Sequence, residues 1–110
     1  MIWAIVKFQF EGLHYYSAAP RVVDFLRNPH RHLFFCEVWV QESKVDNNRE
    51  VEYITLKREL LSNIDLFHNN EEDSCEMIAQ NIRHWLSLSF PNKKTKCFVF
   101  EDNENGAMIE

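Results

Sequence analysis

The hydrophobic period of this chain changes from two to about 3.6 and back to two, and that order of change limits the folds open to it. In residues 2–11, Ile2, Ala4, Val6, Phe8 and Phe10 fall on one side, and Lys7, Gln9 and Glu11 on the other. Such alternation describes a half-buried strand. Residues 31–42, RHLFFCEVWVQE, form a second run rich in aromatic and branched side chains, which suit a strand. From about residue 53 to 66 the repeat turns helical, with Tyr53, Leu56, Leu60, Ile64 and Phe67 recurring at that spacing. Asp73 followed by Glu76 reads as a capping box that opens a second helix. Ile78, Ile82, Trp85 and Leu86 line its buried face, and Pro91 lies just beyond its end. KCFVFED at 96–102 is a third strand. AMIE at 107–110 is a fourth, joined through NENG with Gly106 supplying the turn. The order strand, strand, helix, helix, strand, strand predicts one α+β domain over residues 1–110, with both helices on one face of an antiparallel sheet.

The remaining segments are polar or punctuated. Residues 13–29 read as a loop marked by Pro20 and Pro29, in which VVDFL makes either a helical turn or a short strand. SKVDNNRE at 43–50 is turn-like, a place for the first two strands to continue into a hairpin. HNNEED at 68–73 breaks the first helix. A chain of 110 residues that is 45% hydrophobic can build one core, and association would help so short a chain bury more surface. Twelve basic against 17 acidic residues, a formal charge of −5, leave no patch to neutralise a phosphate backbone, which argues against a nucleic-acid partner. No apolar run approaches the ~20 residues of a membrane helix. The N-terminal stretch alternates, carries Lys7 and lacks the basic start and cleavage site of a signal peptide. Cys36, Cys75 and Cys97 form no CxxC pair, and an odd, widely spaced set does not suit a disulfide framework. They read as reduced thiols of a cytoplasmic protein.

Three of the five histidines carry the chemical signal. His14 stands at even spacing from Phe8, Phe10 and Gly12, at the end of the first strand pattern. His30 and His32 are two apart at the entry to the second, so in a strand they point to the same side. One strand end then offers two parallel imidazoles and a neighbouring strand supplies a third. Three neutral imidazoles with a fourth position open is a catalytic zinc arrangement. The open position can polarise water or a substrate oxygen.

Five segments, in order along nearly the whole chain, resemble motifs of one family. FEGLH at 10–14 is similar to a phenylalanine-x-alanine-x-histidine opening, and HRH at 30–32 to an HGH motif. EYITLK at 52–57 resembles the start of that family's first helix, SCEMIAQNI at 74–82 its second helix, and FVFED at 98–102 the strand that carries its ring-binding glutamate. The family is that of the 6-pyruvoyl/6-carboxy tetrahydropterin synthases, whose architecture is the tunnelling fold. The resemblance implies zinc held by His14, His30 and His32. It implies that Glu101 accepts hydrogen bonds from a pterin or purine-like ring, as a carboxylate facing two N–H donors does. It also implies a homo-oligomer, a trimer or a hexamer of stacked trimers. Without it, Glu101 reads equally well as a solvated strand end, and Glu76 as a helix cap.

The departures from the family bear on activity. Where the family has its cysteine, four residues before the HGH motif, this chain has Leu26, and the nearest carboxylate is Asp24. The family's aspartate–histidine dyad aligns with NIDLFHNN in two ways. One keeps Asp65 and puts Leu66 at the histidine; the other keeps His68 and puts Phe67 at the aspartate. The loop over residues 65–73 is shorter than the family's. Arg31 of the HRH motif is expected on the opposite sheet face from the two histidines. Two functional expectations follow. One is a zinc-dependent lyase acting on dihydroneopterin triphosphate or a related pterin, with His68 and Asp24 moving protons and the product feeding pterin or deazaguanine synthesis. The other is an inactive relative that binds a pterin or purine-like ligand or serves in assembly. A blander third is a fold relative whose histidines bind nothing.

Overall fold

The computed structural model describes residues 1–110, and its elements run in the expected order. They are β1 (Ile2–His14), β2 (His30–Glu42), α1 (Tyr53–Ser62), α2 (Ile64–Phe67), α3 (Cys75–Ser89), β3 (Thr95–Glu101) and β4 (Asn105–Ile109). The four strands make one antiparallel sheet in the order β1-β2-β3-β4. The architecture is α+β. Alternation decides which face is covered: Ala4, Val6, Phe8 and Phe10 of β1, Phe34, Cys36, Val38 and Val40 of β2, and Cys97 and Val99 of β3 are all buried. Leu56 and Leu60 of α1, Phe67 of α2, and Ile78, Ala79, Ile82 and Leu86 of α3 close over them as one cluster. Each large side chain buried there contributes about 1.5–3 kcal/mol. Trp85 packs against this cluster while only partly buried. No helix is long and apolar enough to cross a membrane.

Several boundaries differ from expectation, each for a local reason. β1 continues to His14, and β1 pairs with β2 along its full length, from Ile2 opposite Glu42 to His14 opposite His30. The connection between these strands is therefore residues 15–29, and the hairpin expected at 43–50 is not formed. That polar segment instead leads from β2 to α1. Glu50 holds it, accepting from the Ser43 backbone N–H at 2.9 Å and pairing with Lys93. Within the 15–29 connection, the VVDFL stretch lies in a 3-10 segment, Arg21–Arg27, rather than a strand.

The first helix pattern is cut at Asn63. Its side chain donates to the Glu59 carbonyl and its own N–H to the Leu60 carbonyl. Such local bonds compete with helix continuation. Glu52 caps the start of α1, accepting from the Ile54 and Thr55 N–H groups at 3.2 and 2.6 Å. At α3 the cap is Ser74, accepting from the Met77 N–H at 3.2 Å, one residue later than the Asp73 capping box expected. Glu76 then lies inside the first turn, where its charge suits the helix dipole.

Gly106 does not make the β3–β4 turn. The left-handed residues are Asp102 (φ 52°) and Asn103 (φ 59°), types that tolerate that region. Gly106 belongs to β4, opposite Phe100. A Cβ there would lie 2.0 Å from the Val99 carbonyl oxygen and 2.7 Å from the Phe100 Cα. Backbone atoms cannot retreat as a side-chain tip would. Gly106→Ala is therefore expected to cost about 1–3 kcal/mol through overpacking, read as a lower midpoint in urea unfolding.

Candidate metal centre

His14 and His30 face each other across the last rung of the β1–β2 ladder, and His32 sits one same-face position further along β2. The ligand nitrogens of the three lie within 4.8 Å of one another. Their tautomers are set from behind. His30 Nδ1 donates to the Asn28 carbonyl at 2.8 Å, and His32 Nδ1 to the Asp102 carboxylate at 2.7 Å. The lone pairs of both are thereby left on Nε2. His30 Nε2, His32 Nε2 and His14 Nδ1 are all buried and make no hydrogen bond. One such orphan costs about 1–3 kcal/mol; three converging at one point are the donor set of a metal ion. Burial lowers the pKa of His14 below its usual value, aided by His30, His32 and His68 and opposed by Glu101. The neutral form that ligates a metal is thus favoured. Arg31 points away from the cluster, as expected, and pairs with Glu11 at 2.7 Å.

Asp102 was not visible as a site residue in the sequence. Its Oδ1 accepts from the Leu33 N–H at 2.9 Å while Oδ2 holds His32, and its own N–H donates to the Leu33 carbonyl at 2.7 Å. The Leu33 bond, then the His32 bond, hold its carboxyl below the usual range. A carboxylate behind a ligating imidazole fixes the ring and raises its basicity.

Glu101, the last residue of β3, reaches over β2 toward the cluster. Its Oε1 is 3.8 Å from His14 Nδ1 and its Oε2 3.7 Å from His32 Nε2. Beside it opens a pocket of about 290 Å³ whose walls include His14, His30, Glu101, Tyr16, Leu26 and Cys75. Leu26, at the position of the family's cysteine, is thus in the pocket wall. So is a cysteine from elsewhere, Cys75, delivered by the first turn of α3. Burial, with Glu101 and Glu76 adding to it, pushes the Cys75 thiol up to about 12. A larger concavity of about 440 Å³ runs past Lys7, Phe35, Glu37 and Phe100 and contains no histidine.

The two residues expected to move protons are placed differently. Asp24 is exposed on the 3-10 segment and does not line the pocket. His68 caps the end of α2 and lies under β1. Its Nε2 donates to the Leu13 carbonyl at 2.9 Å, and its ring packs on Phe10 and Phe34. Its Nδ1 is buried without a partner. A Cβ at Gly12 would approach the ring to 2.8 Å, so that glycine admits the imidazole. Elsewhere in NIDLFHNN, Asp65 is exposed and Phe67 fills the core. No protein-family model matches the sequence, and no curated protein matches it.

Purified protein is expected to hold about one divalent metal per chain, with His32→Ala losing most of it. Asp102→Ala should weaken metal affinity by about 10–100-fold while the far-ultraviolet circular dichroism stays unchanged. Elemental analysis and competition with a chromogenic chelator measure both.

Proposed function

We propose that this chain is a zinc-dependent lyase-type enzyme of the tunnelling fold, resembling the 6-pyruvoyl/6-carboxy tetrahydropterin synthases and acting on dihydroneopterin triphosphate or a related pterin. The observation that carries this reading is the convergence of three unpartnered imidazole nitrogens beside a carboxylate in an open pocket. The element order, and a sheet with its helices on one face, fit the same family. His14, His30 and His32 would hold the zinc. Bound there, zinc supplies Lewis-acid polarisation of a substrate oxygen. Glu101 would anchor the ring by its paired N–H donors. His68 would act as base through Nδ1, with its Nε2–H held by the Leu13 carbonyl instead of an aspartate. Three free, buried thiols suit a reducing compartment such as the cytoplasm.

A second reading keeps the metal and ring pocket without turnover, as a pterin- or purine-binding or assembly protein. Two observations favour it. Neither Asp24 nor His68 lines the pocket, and the one thiol in the pocket wall is held protonated. Incubation of zinc-loaded protein with dihydroneopterin triphosphate separates the readings. Turnover that disappears in His68→Ala, with ring binding retained, supports the enzyme. Ring binding without turnover leaves the binding module. In both cases Glu101→Ala should weaken ring binding by at least about tenfold, since lost partners cost the buried donors about 1–3 kcal/mol each. If neither ligand class binds and Glu101→Ala is silent, both readings fail.

The same reading includes a symmetric homo-oligomer. The exposed area of 7176 Å² exceeds the roughly 6400 Å² expected of a folded monomer of this mass. The sheet face opposite the helices carries a ladder of half-exposed rings, Trp3, Trp39, Phe98 and Phe100. Both edge strands, β1 and β4, lack an outer neighbour. Light scattering at micromolar concentration should report a trimer or hexamer; a monomer would count against the fold family.

A further inference from the structure

The Glu101 carboxylate has the protonated Cys75 thiol on one side and two of the converging imidazole nitrogens on the other. His32 donates its Nδ1–H to Asp102, so in the neutral ring the Nε2 lone pair is what Glu101 Oε2 meets at 3.7 Å. Oε1 meets the unpartnered His14 Nδ1 at 3.8 Å. An ionised carboxylate offers only acceptors, and acceptor against acceptor is repulsive unless a positive charge lies between. Donors sharing one tetrahedral metal at 2.0–2.1 Å stand about 3.3 Å apart. Both carboxylate oxygens are within about half an ångström of that spacing from a histidine nitrogen. Glu101 is also the sole carboxylate so placed: Asp102 is engaged behind His32, and Glu76, in the first turn of α3, pairs with none of the three histidines.

We infer that Glu101 is the fourth, displaceable ligand of the metal, closing the open position at rest and leaving it when a ring with paired N–H donors claims the carboxylate. The inference rests on the metal and ring reading above and gives one residue two exclusive partners. Ring binding and opening of the metal are then one event. The metal's open position becomes available only once a ligand is seated, which protects the ion from adventitious anions in its absence. Linkage requires the converse as well: a ring that removes Glu101 from the metal is bound more weakly by the loaded protein than by the metal-free protein, until its own oxygens replace the carboxylate.

Cobalt(II) in place of zinc makes coordination visible, and neopterin serves as the ring probe. Three full-length proteins suffice: wild type, Glu101→Gln and Glu101→His. Wild type should take up cobalt and show the intense visible bands of a four-coordinate site, and neopterin should change that spectrum. Glu101→Gln should bind cobalt at least about tenfold more weakly, with an altered spectrum that neopterin does not move. Glu101→His supplies a fourth nitrogen but no acceptor pair. It should keep cobalt affinity at or above wild type while losing neopterin binding, and far-ultraviolet circular dichroism like that of wild type shows that a weak glutamine variant is folded. If Glu101→Gln binds cobalt with wild-type affinity and spectrum, Glu101 is not a ligand and the inference is overturned. If neopterin binds the wild type without changing its spectrum, displacement is overturned. Failure of wild type to take up cobalt or zinc instead removes the metal reading itself.

Discussion

The register of β1 on β2 is the constraint on which the site depends. Thirteen residues of each strand pair in step, and the last rung sets His14 against His30. Because side chains alternate with period two, a slip of one residue would send His30 and His32 to the opposite face from His14. The same slip would expose Phe34, Cys36, Val38 and Val40 and place Phe35, Glu37 and Trp39 under the helices. The core therefore enforces the register that assembles the histidines. The metal end of the hairpin contributes little apolar burial of its own; it borrows its alignment from the packed end. Gly12, on the rung between, gives His68 room under the strand without widening the ladder.

Electrostatically, the site is a set of lone pairs held together by bonds made on their far sides. The Asn28 carbonyl and the Asp102 carboxylate take the histidine protons, and Leu13 takes that of His68. Each bond commits a ring to one tautomer and turns the other nitrogen inward. The resulting cluster of inward acceptors is unfavourable by itself, and burial, with the neighbouring imidazoles adding to it, lowers the pKa of His14. Such a site stores in the folded chain a demand for a cation that a bound metal would meet.

The histidines and the strand faces were legible because both are local. Alternation in residues 2–11 and 31–42 and the His30–His32 spacing need nothing from the rest of the chain. Asp102 was not legible. Its role depends on a left-handed turn that carries it back to Leu33 and His32, about 70 positions earlier. Cys75 was missed for a similar reason. The position expected for a thiol falls in the 15–29 connection, whereas the fold brings one in from the start of α3. The cap at Ser74 instead of Asp73, and the break at Asn63, turn on single side-chain bonds that several neighbouring polar residues could have made. Asp24 had only proximity in sequence to recommend it, and the 3-10 segment carries it into solvent.

The three histidines all lie between residues 14 and 32, inside one hairpin, whereas Glu101 ends β3 and Asp102 follows it, 70 positions after His32. On a ribosome the nitrogens emerge long before the carboxylates. The growing chain can thus offer an ion an incomplete, exchangeable seat while the second half is still being made. Completion of β3 then adds Asp102 behind His32 and brings Glu101 to 3.7 Å from the His32 Nε2. A metal met by the hairpin before β3 is made would find three nitrogens without the two carboxylates, a different donor set from that of the whole sheet.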